Sequence, residues 1–62
     1  MNALEAAVKE LRERRTQLSD ALASRAANTF DEYQYMCGEI RGLTLIESYL
    51  LDLAKRMEHE DD

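Results

Sequence analysis

The chain has 62 residues, one cysteine, no proline and a formal net charge of −5. A chain of this length forms one small domain and buries only about 60% of its unfolded surface. Small domains usually gain further stability from disulfides, a metal ion or oligomerisation. A single cysteine excludes an intramolecular disulfide, and Cys37 with the lone His59 falls short of a zinc ligand set. We therefore expect oligomerisation and no cofactor.

Apolar runs in the chain are short and interrupted by charged residues. This pattern excludes a membrane-spanning helix, and it lacks the basic start and apolar core of a signal peptide. An unpaired cysteine is typical of a reducing compartment. The sequence predicts a cytoplasmic protein, or one in a particle assembled in the cytoplasm, with no membrane partner.

The first predicted helix follows Asn2, which is suited to cap it with Glu5 three residues on. Its apolar residues form one narrow stripe: Leu4, Val8, Leu11, Leu18 and Leu22. Arg15 occupies the position in this stripe where a further apolar residue is expected. On the polar back, Glu10 stands four residues before Arg14, a spacing at which ion pairs form. The pattern predicts helix from about residue 3 to about residue 26.

A turn is predicted at residues 27–29. Asparagine is the commonest residue after glycine in the left-handed conformation that ends helices, so Asn28 is suited to this position. Thr29 and Glu32 match the capping box that begins a new helix. The second helix is predicted from about residue 30 to about residue 58, and a turn this short favours an antiparallel hairpin. Four acids in residues 58–62 oppose the helix dipole, so we expect fraying in the tail 59–62.

Two apolar stripes lie side by side on the second helix. The first consists of Met36, Ile40, Leu43, Leu50, Ala54 and Met57. The second consists of Tyr35, Gly38, Gly42, Leu45, Ile46, Tyr49 and Leu53. Together the two stripes occupy more than half of the circumference of the helix. One partner helix cannot cover so wide an apolar surface. The second stripe is the predicted partner interface of an all-α hairpin that forms a four-helix bundle, most simply as a homodimer, or docks on a larger protein.

Gly38 and Gly42 lie four residues apart inside this helix. Each interior glycine destabilises a helix by about 1 kcal/mol relative to alanine. One interpretation is close approach of another backbone, as in small-residue helix packing. The alternative is a kink or a local irregularity of the helix.

Arg15 and Glu47 each interrupt an otherwise apolar stripe. An antiparallel register that pairs Leu11 with Leu50 and Leu18 with Leu43 also sets Arg15 opposite Glu47. Such a polar pair can specify register at some expense of stability. A tighter turn would shift the register by about one layer, and the sequence leaves both registers open.

No catalytic set of side chains, phosphate-binding glycine loop or metal motif is present, so the sequence does not predict an enzyme. Residues 1–28 carry net charge +1 and residues 29–62 carry −6. In length, hairpin layout and dimeric bundle, the chain resembles the plasmid RNA-binding protein Rop, without a matching motif. That resemblance implies, as an alternative function, a small regulator that binds RNA or a host protein through the first helix. Acidic residues between the basic ones weaken attraction to phosphates, so nucleic acid is the lesser prediction.

Residues 33–56 carry a second resemblance. An aromatic residue precedes Cys-Gly-Glu-Ile-Arg-Gly-Leu, followed by Ile-Glu, Leu-Asp-Leu and an acidic end. This pattern resembles small proteins encoded among the virion and assembly genes of tailed bacteriophages. The resemblance implies an accessory component of a phage particle or of its assembly, with no catalytic residues.

Overall fold

The computed structural model describes residues 2–60, with side chains as far as residue 59, as helix α1 (Ala3–Ala23) followed by α2 (Phe30–Glu60). The two helices pack against each other as an antiparallel hairpin, which confirms the predicted all-α fold. Helix α1 has 21 residues and α2 has 31. The difference is roughly 15 Å of helix at 1.5 Å per residue. Part of α2 therefore extends beyond its partner.

Side-chain caps begin both helices at the predicted residues. Asn2 Oδ1 accepts a hydrogen bond from the backbone N–H of Glu5 at 2.8 Å. Thr29 Oγ1 accepts one from the N–H of Glu32 at 3.1 Å, and the Glu32 carboxylate accepts one from the N–H of Asn28 at 2.7 Å. The bonds from the N–H groups of Glu5 and Glu32 satisfy donors that the helices themselves leave unpaired. They define where each helix starts.

Helix α1 ends at Ala23, three residues before the predicted end, and residues 24–29 form the connection. The left-handed residue is Arg25, with φ of 63°, and not Asn28. The N–H of Arg25 donates to the carbonyl of Leu22 at 3.1 Å. The next N–H, of Ala26, donates to the carbonyl of Ala21 at 2.9 Å.

These two bonds form a Schellman motif, in which Arg25 occupies the position that glycine usually holds. The predicted boundary was wrong because arginine, unlike glycine or asparagine, carries no signal for the left-handed conformation. At the other end, α2 continues to Glu60, two residues beyond the predicted end. The predicted fraying of the tail falls in part on Asp61 and Asp62, which lie outside the described residues.

The core is a narrow line between the helices. Among the described residues only Val8, Leu11 and Leu18 are buried. The half-buried side chains of the first apolar stripe of α2 are Met36, Ile40, Leu43, Leu50 and Ala54. A core of three buried side chains stabilises a chain only weakly, because burying one completely contributes about 1.5–3 kcal/mol.

We expect Arg25→Gly to stabilise the hairpin by about 0.5–1 kcal/mol, because glycine relieves the left-handed strain but adds backbone entropy to the unfolded chain. Urea unfolding at fixed protein concentration measures the change. Arg25→Ala is the matched control, since it removes the same charge and keeps the strain. Equal stability of the two variants would contradict a strained Arg25.

Candidate functional site

Glu47 is held between two arginines of α1 in the middle of the helix contact. Arg15 Nη1 donates to Glu47 Oε1 at 2.9 Å, and Arg15 Nη2 donates to Glu47 Oε2 at 3.3 Å. Arg12 Nε donates to the same Oε2. Arg15 Nη1 also lies 3.3 Å from Thr44 Oγ1, which accepts a further bond. The structure thus brings the predicted pair together, and it adds Arg12 one turn away.

These bonds change the charge behaviour of Glu47. Hydrogen bonds from Arg15, and then from Arg12, lower the pKa of Glu47 to about 2. Only 15% of the Glu47 side chain is exposed, against 53% for Arg12. The carboxylate is therefore ionised in the apolar line between the helices and has two guanidinium partners.

A second cross-helix ion pair lies beside the first. Arg14 Nε donates to Glu39 Oε2 at 2.7 Å, and Arg14 Nη2 donates to Glu39 Oε1 at 3.3 Å. This contact replaces the predicted pairing of Arg14 with Glu10. The pKa of Arg14 is raised by Glu39 and, to a smaller extent, by nearby Tyr35. Because Glu39 lies four residues after Tyr35, this ion pair borders the second apolar stripe.

The second stripe of α2 is uncovered. We call it the open face, and it consists of Tyr35, Gly38, Gly42, Leu45, Ile46, Tyr49 and Leu53. Tyr35 is 74% exposed, Tyr49 60% and Leu45 53%. Ile46 and Leu53 are also exposed, at 47% and 42%. From residue 35 to residue 53 the face is about 27 Å long at 1.5 Å per residue. A continuous apolar surface of this kind marks an interaction site.

Packing within the chain does not account for Gly38 and Gly42. A Cβ atom added at either position would meet nothing within 4 Å. Helix α2 continues through both residues, and neither has positive φ. A local break in the helix is therefore not the reason for these glycines. Both glycines lie on the outer surface of α2, in the open face.

Sequence reasoning missed Arg12, Arg14 and Glu39 as cross-helix partners. Arg12 and Arg15 are three residues apart, a spacing that places both on one side of α1. That spacing was the available signal for shared contact with one carboxylate. No comparable signal chose Glu39 over Glu10 for Arg14, because both lie within reach of a long side chain.

No group of three or more potential metal-binding side chains occurs among the described residues. A groove of about 620 Å³ lies where the start of α1 meets the end of α2, lined mainly by aliphatic side chains such as Val8, Leu50 and Met57. Neither described helix is long and apolar enough to cross a membrane. The open face is the strongest candidate functional site.

No protein-family model, curated protein or solved structure matches the chain. The chain is an antiparallel two-helix hairpin with one uncovered apolar helix face.

Replacing Glu47 with leucine should destabilise the hairpin more than replacing Arg15 with leucine. Glu47→Leu leaves Arg15 and Arg12 without their carboxylate, whereas Arg15→Leu leaves Glu47 paired with Arg12. The double variant should be close to wild type, because an apolar pair then fills the contact. Urea unfolding of the four proteins gives the coupling. The exposed Lys9–Glu13 pair on α1 is the control and should show weaker coupling.

Stability should fall with acid between about pH 5 and about pH 2, because the Glu47 pKa rises on unfolding from about 2 to about 4.3. A carboxylate whose pKa is lower in the folded state stabilises the fold at pH values above its unfolded pKa. This stabilisation is lost as the pH falls to the folded pKa. Glu47→Gln should lower stability at pH 7 and flatten the acid decline. Thermal unfolding across this range measures both effects. The exposed Glu10→Gln variant should retain the wild-type slope, and an equally flat slope there would reject the assignment.

Proposed function

We propose that the protein is a non-enzymatic structural or adaptor protein that acts through helix–helix contacts and self-associates through the open face of α2. The observation that carries this proposal is the uncovered apolar surface of Tyr35, Ile46, Tyr49 and Leu53. The simplest closed assembly is a homodimer of two hairpins with four helices.

The small core supports this proposal independently. Three buried side chains are few for a chain that must offset the conformational entropy of about sixty residues. Burial of the open face against a partner would remove further large apolar side chains from water, among them Tyr35, Leu45 and Tyr49. Because each large side chain contributes about 1.5–3 kcal/mol when fully buried, a partner would supply much of the stability.

The resemblance of residues 33–56 to small proteins of tailed-phage assembly gene clusters supports a biological setting. We propose that the self-associated hairpin is an accessory component of a phage particle or of its assembly. A small helical unit without a catalytic site suits such a role, because it contributes a surface and not a reaction.

RNA binding through α1, the alternative function, is disfavoured by the ion pairs. Arg12 and Arg15 are bonded to Glu47, and Arg14 is bonded to Glu39. Lys9 lies 3.9 Å from Glu13. Phosphate contacts require cations that are free to replace counterions, and here carboxylates already neutralise most of the α1 cations.

Light scattering should give at least a dimeric mass at micromolar concentration. The thermal midpoint should also rise with protein concentration, because association stabilises only the folded chain. A monomeric mass together with a midpoint independent of concentration would reject self-association.

Gly42→Leu places a large side chain on the open face, so we expect higher intrinsic helicity but weaker association. Gly42→Ala is the matched control, since it adds one methyl group and improves helix propensity. We expect the alanine variant to associate nearly as well as wild type. Circular dichroism and light scattering on the same samples separate the two effects. Normal association of the leucine variant would remove Gly42 from the interface.

A further inference from the structure

The open face has the shape of one half of a self-complementary antiparallel contact. Tyr49 and Leu53 lie on one side of Leu45, and Gly38 and Gly42, with Tyr35 beyond them, lie on the other. Gly42 is three residues before Leu45 and Tyr49 is four after it; Gly38 is seven before and Leu53 eight after. A two-fold axis at Leu45 therefore sets Tyr49 of one copy opposite Gly42 of the other, within about 1.5 Å along the helix. It likewise sets Leu53 opposite Gly38.

A parallel pairing loses this match. With both helices in the same direction and in register, glycines meet at one level and the tyrosines meet at another. Gaps at the glycines and crowding at Tyr49 would follow, and both weaken a packed interface. The open space around Gly38 and Gly42 within the chain is the space that the antiparallel contact fills.

Charges along the open face support the same arrangement. Arg56 Nη2 donates to Asp52 Oδ2 at 2.6 Å within α2. Asp31 and Arg41 have no ion-pair partner among the side chains of residues 2–59. Arg41 and Asp52 lie on one edge of the open face, and Asp31 and Arg56 lie at its two ends, four residues before Tyr35 and three after Leu53. In an antiparallel pair the same edges meet and each end meets the opposite end, so Arg41 approaches Asp52 of the second copy and Asp31 approaches its Arg56. In both pairs the two residues are offset along the helix axis by three residues, or about 4.5 Å, a distance that these side chains can span.

The resulting row alternates in sign: Arg41, then Asp52 and Arg56 of the second copy, then Asp31. The two-fold axis produces this row twice. A parallel pair would instead set this edge against the opposite edge of α2, where Glu39 already binds Arg14 and Met57 is apolar. Shape and charge therefore favour the same orientation, and charge complementarity of this kind specifies orientation.

We infer that the occupant of the open face is a second copy of this chain, bound with its α2 antiparallel about a two-fold axis near Leu45, so that Tyr49 of each copy packs into the Gly42 notch of the other. This inference rests on the proposed self-association and adds its orientation and register. The two helices α2 then form the centre of the assembly, and each α1 lies outside its own α2.

Disulfide trapping tests the orientation in the full-length chain carrying Cys37→Ala, which removes the sole native thiol. Three single-cysteine variants are made on this background: Leu45→Cys, Leu53→Cys and Tyr35→Cys. Each is measured by light scattering under reducing conditions, then oxidised and analysed by mass. Leu45→Cys should cross-link with itself. Leu53→Cys should not, because its two copies would lie about 24 Å apart along the axis, well beyond disulfide reach.

An equimolar mixture of Leu53→Cys and Tyr35→Cys, one of them carrying a mass tag, should yield the mixed dimer. Self-cross-linking of Leu53→Cys would show a parallel pair and overturn the inference. A dimeric mass without any of these cross-links would also overturn the inference, but it would leave self-association in place. Monomeric mass of the wild-type chain would instead overturn the proposed function.

Charge exchange gives an independent measurement that does not depend on introduced cysteines. Arg41→Asp should raise the dimer dissociation constant about fivefold, because it sets like charges together at two symmetric places. Adding Asp52→Arg should restore most of the affinity. If the double variant associates no better than the single one, Arg41 and Asp52 do not meet and the register is wrong.

Discussion

Two helices in a hairpin share only one line of contact, and this constraint decides the rest of the molecule. Helix α1 offers a narrow apolar stripe with a polar back, and it is shorter than α2 by ten residues. It can bury one side of α2 and no more. The second apolar stripe of α2 is consequently left in solvent, with Tyr35 and Tyr49 mostly exposed. The small core and the uncovered apolar surface of α2 therefore have the same geometric cause.

The charged cluster at the middle of the helix contact shows how such a small core can still specify one arrangement. Glu47 is bonded to both Arg12 and Arg15, so sliding α2 by a turn would separate it from one of them. Ion pairs in partly dry surroundings stabilise weakly, since desolvation offsets much of the attraction. Their benefit is specificity. Apolar residues supply the attraction between the helices, and the charges select the register.

The connection between the helices contains a residue in an unfavourable backbone conformation. Arg25 adopts a conformation that glycine would adopt more easily, and two backbone bonds hold it there. The helix ends where these bonds form and not where a favourable end residue occurs. The six-residue connection that results is longer than the predicted turn, and it allows Arg15 to reach Glu47. Arg15 bonds Glu47, the pairing of the register that sets Leu11 opposite Leu50, and the bonds of Arg12 with Glu47 and of Arg15 with Thr44 lie three residues from that register.

The sequence by itself determined the two helices, both N-terminal caps and the two stripes of α2, because these depend on local spacing and on side chains a few residues apart. It also offered the pairing of Arg15 with Glu47, in one of the two registers that it left open, since the charges interrupt two periodic patterns at matching places. Only the tertiary structure decided that Arg12 shares Glu47, that Arg14 turns to Glu39, and that α1 stops at Ala23. In each of these cases, the alternative contacts are about equally favourable when only nearby residues in the sequence are considered. They are settled by distances between residues far apart in the chain, which exist only once the helices have packed.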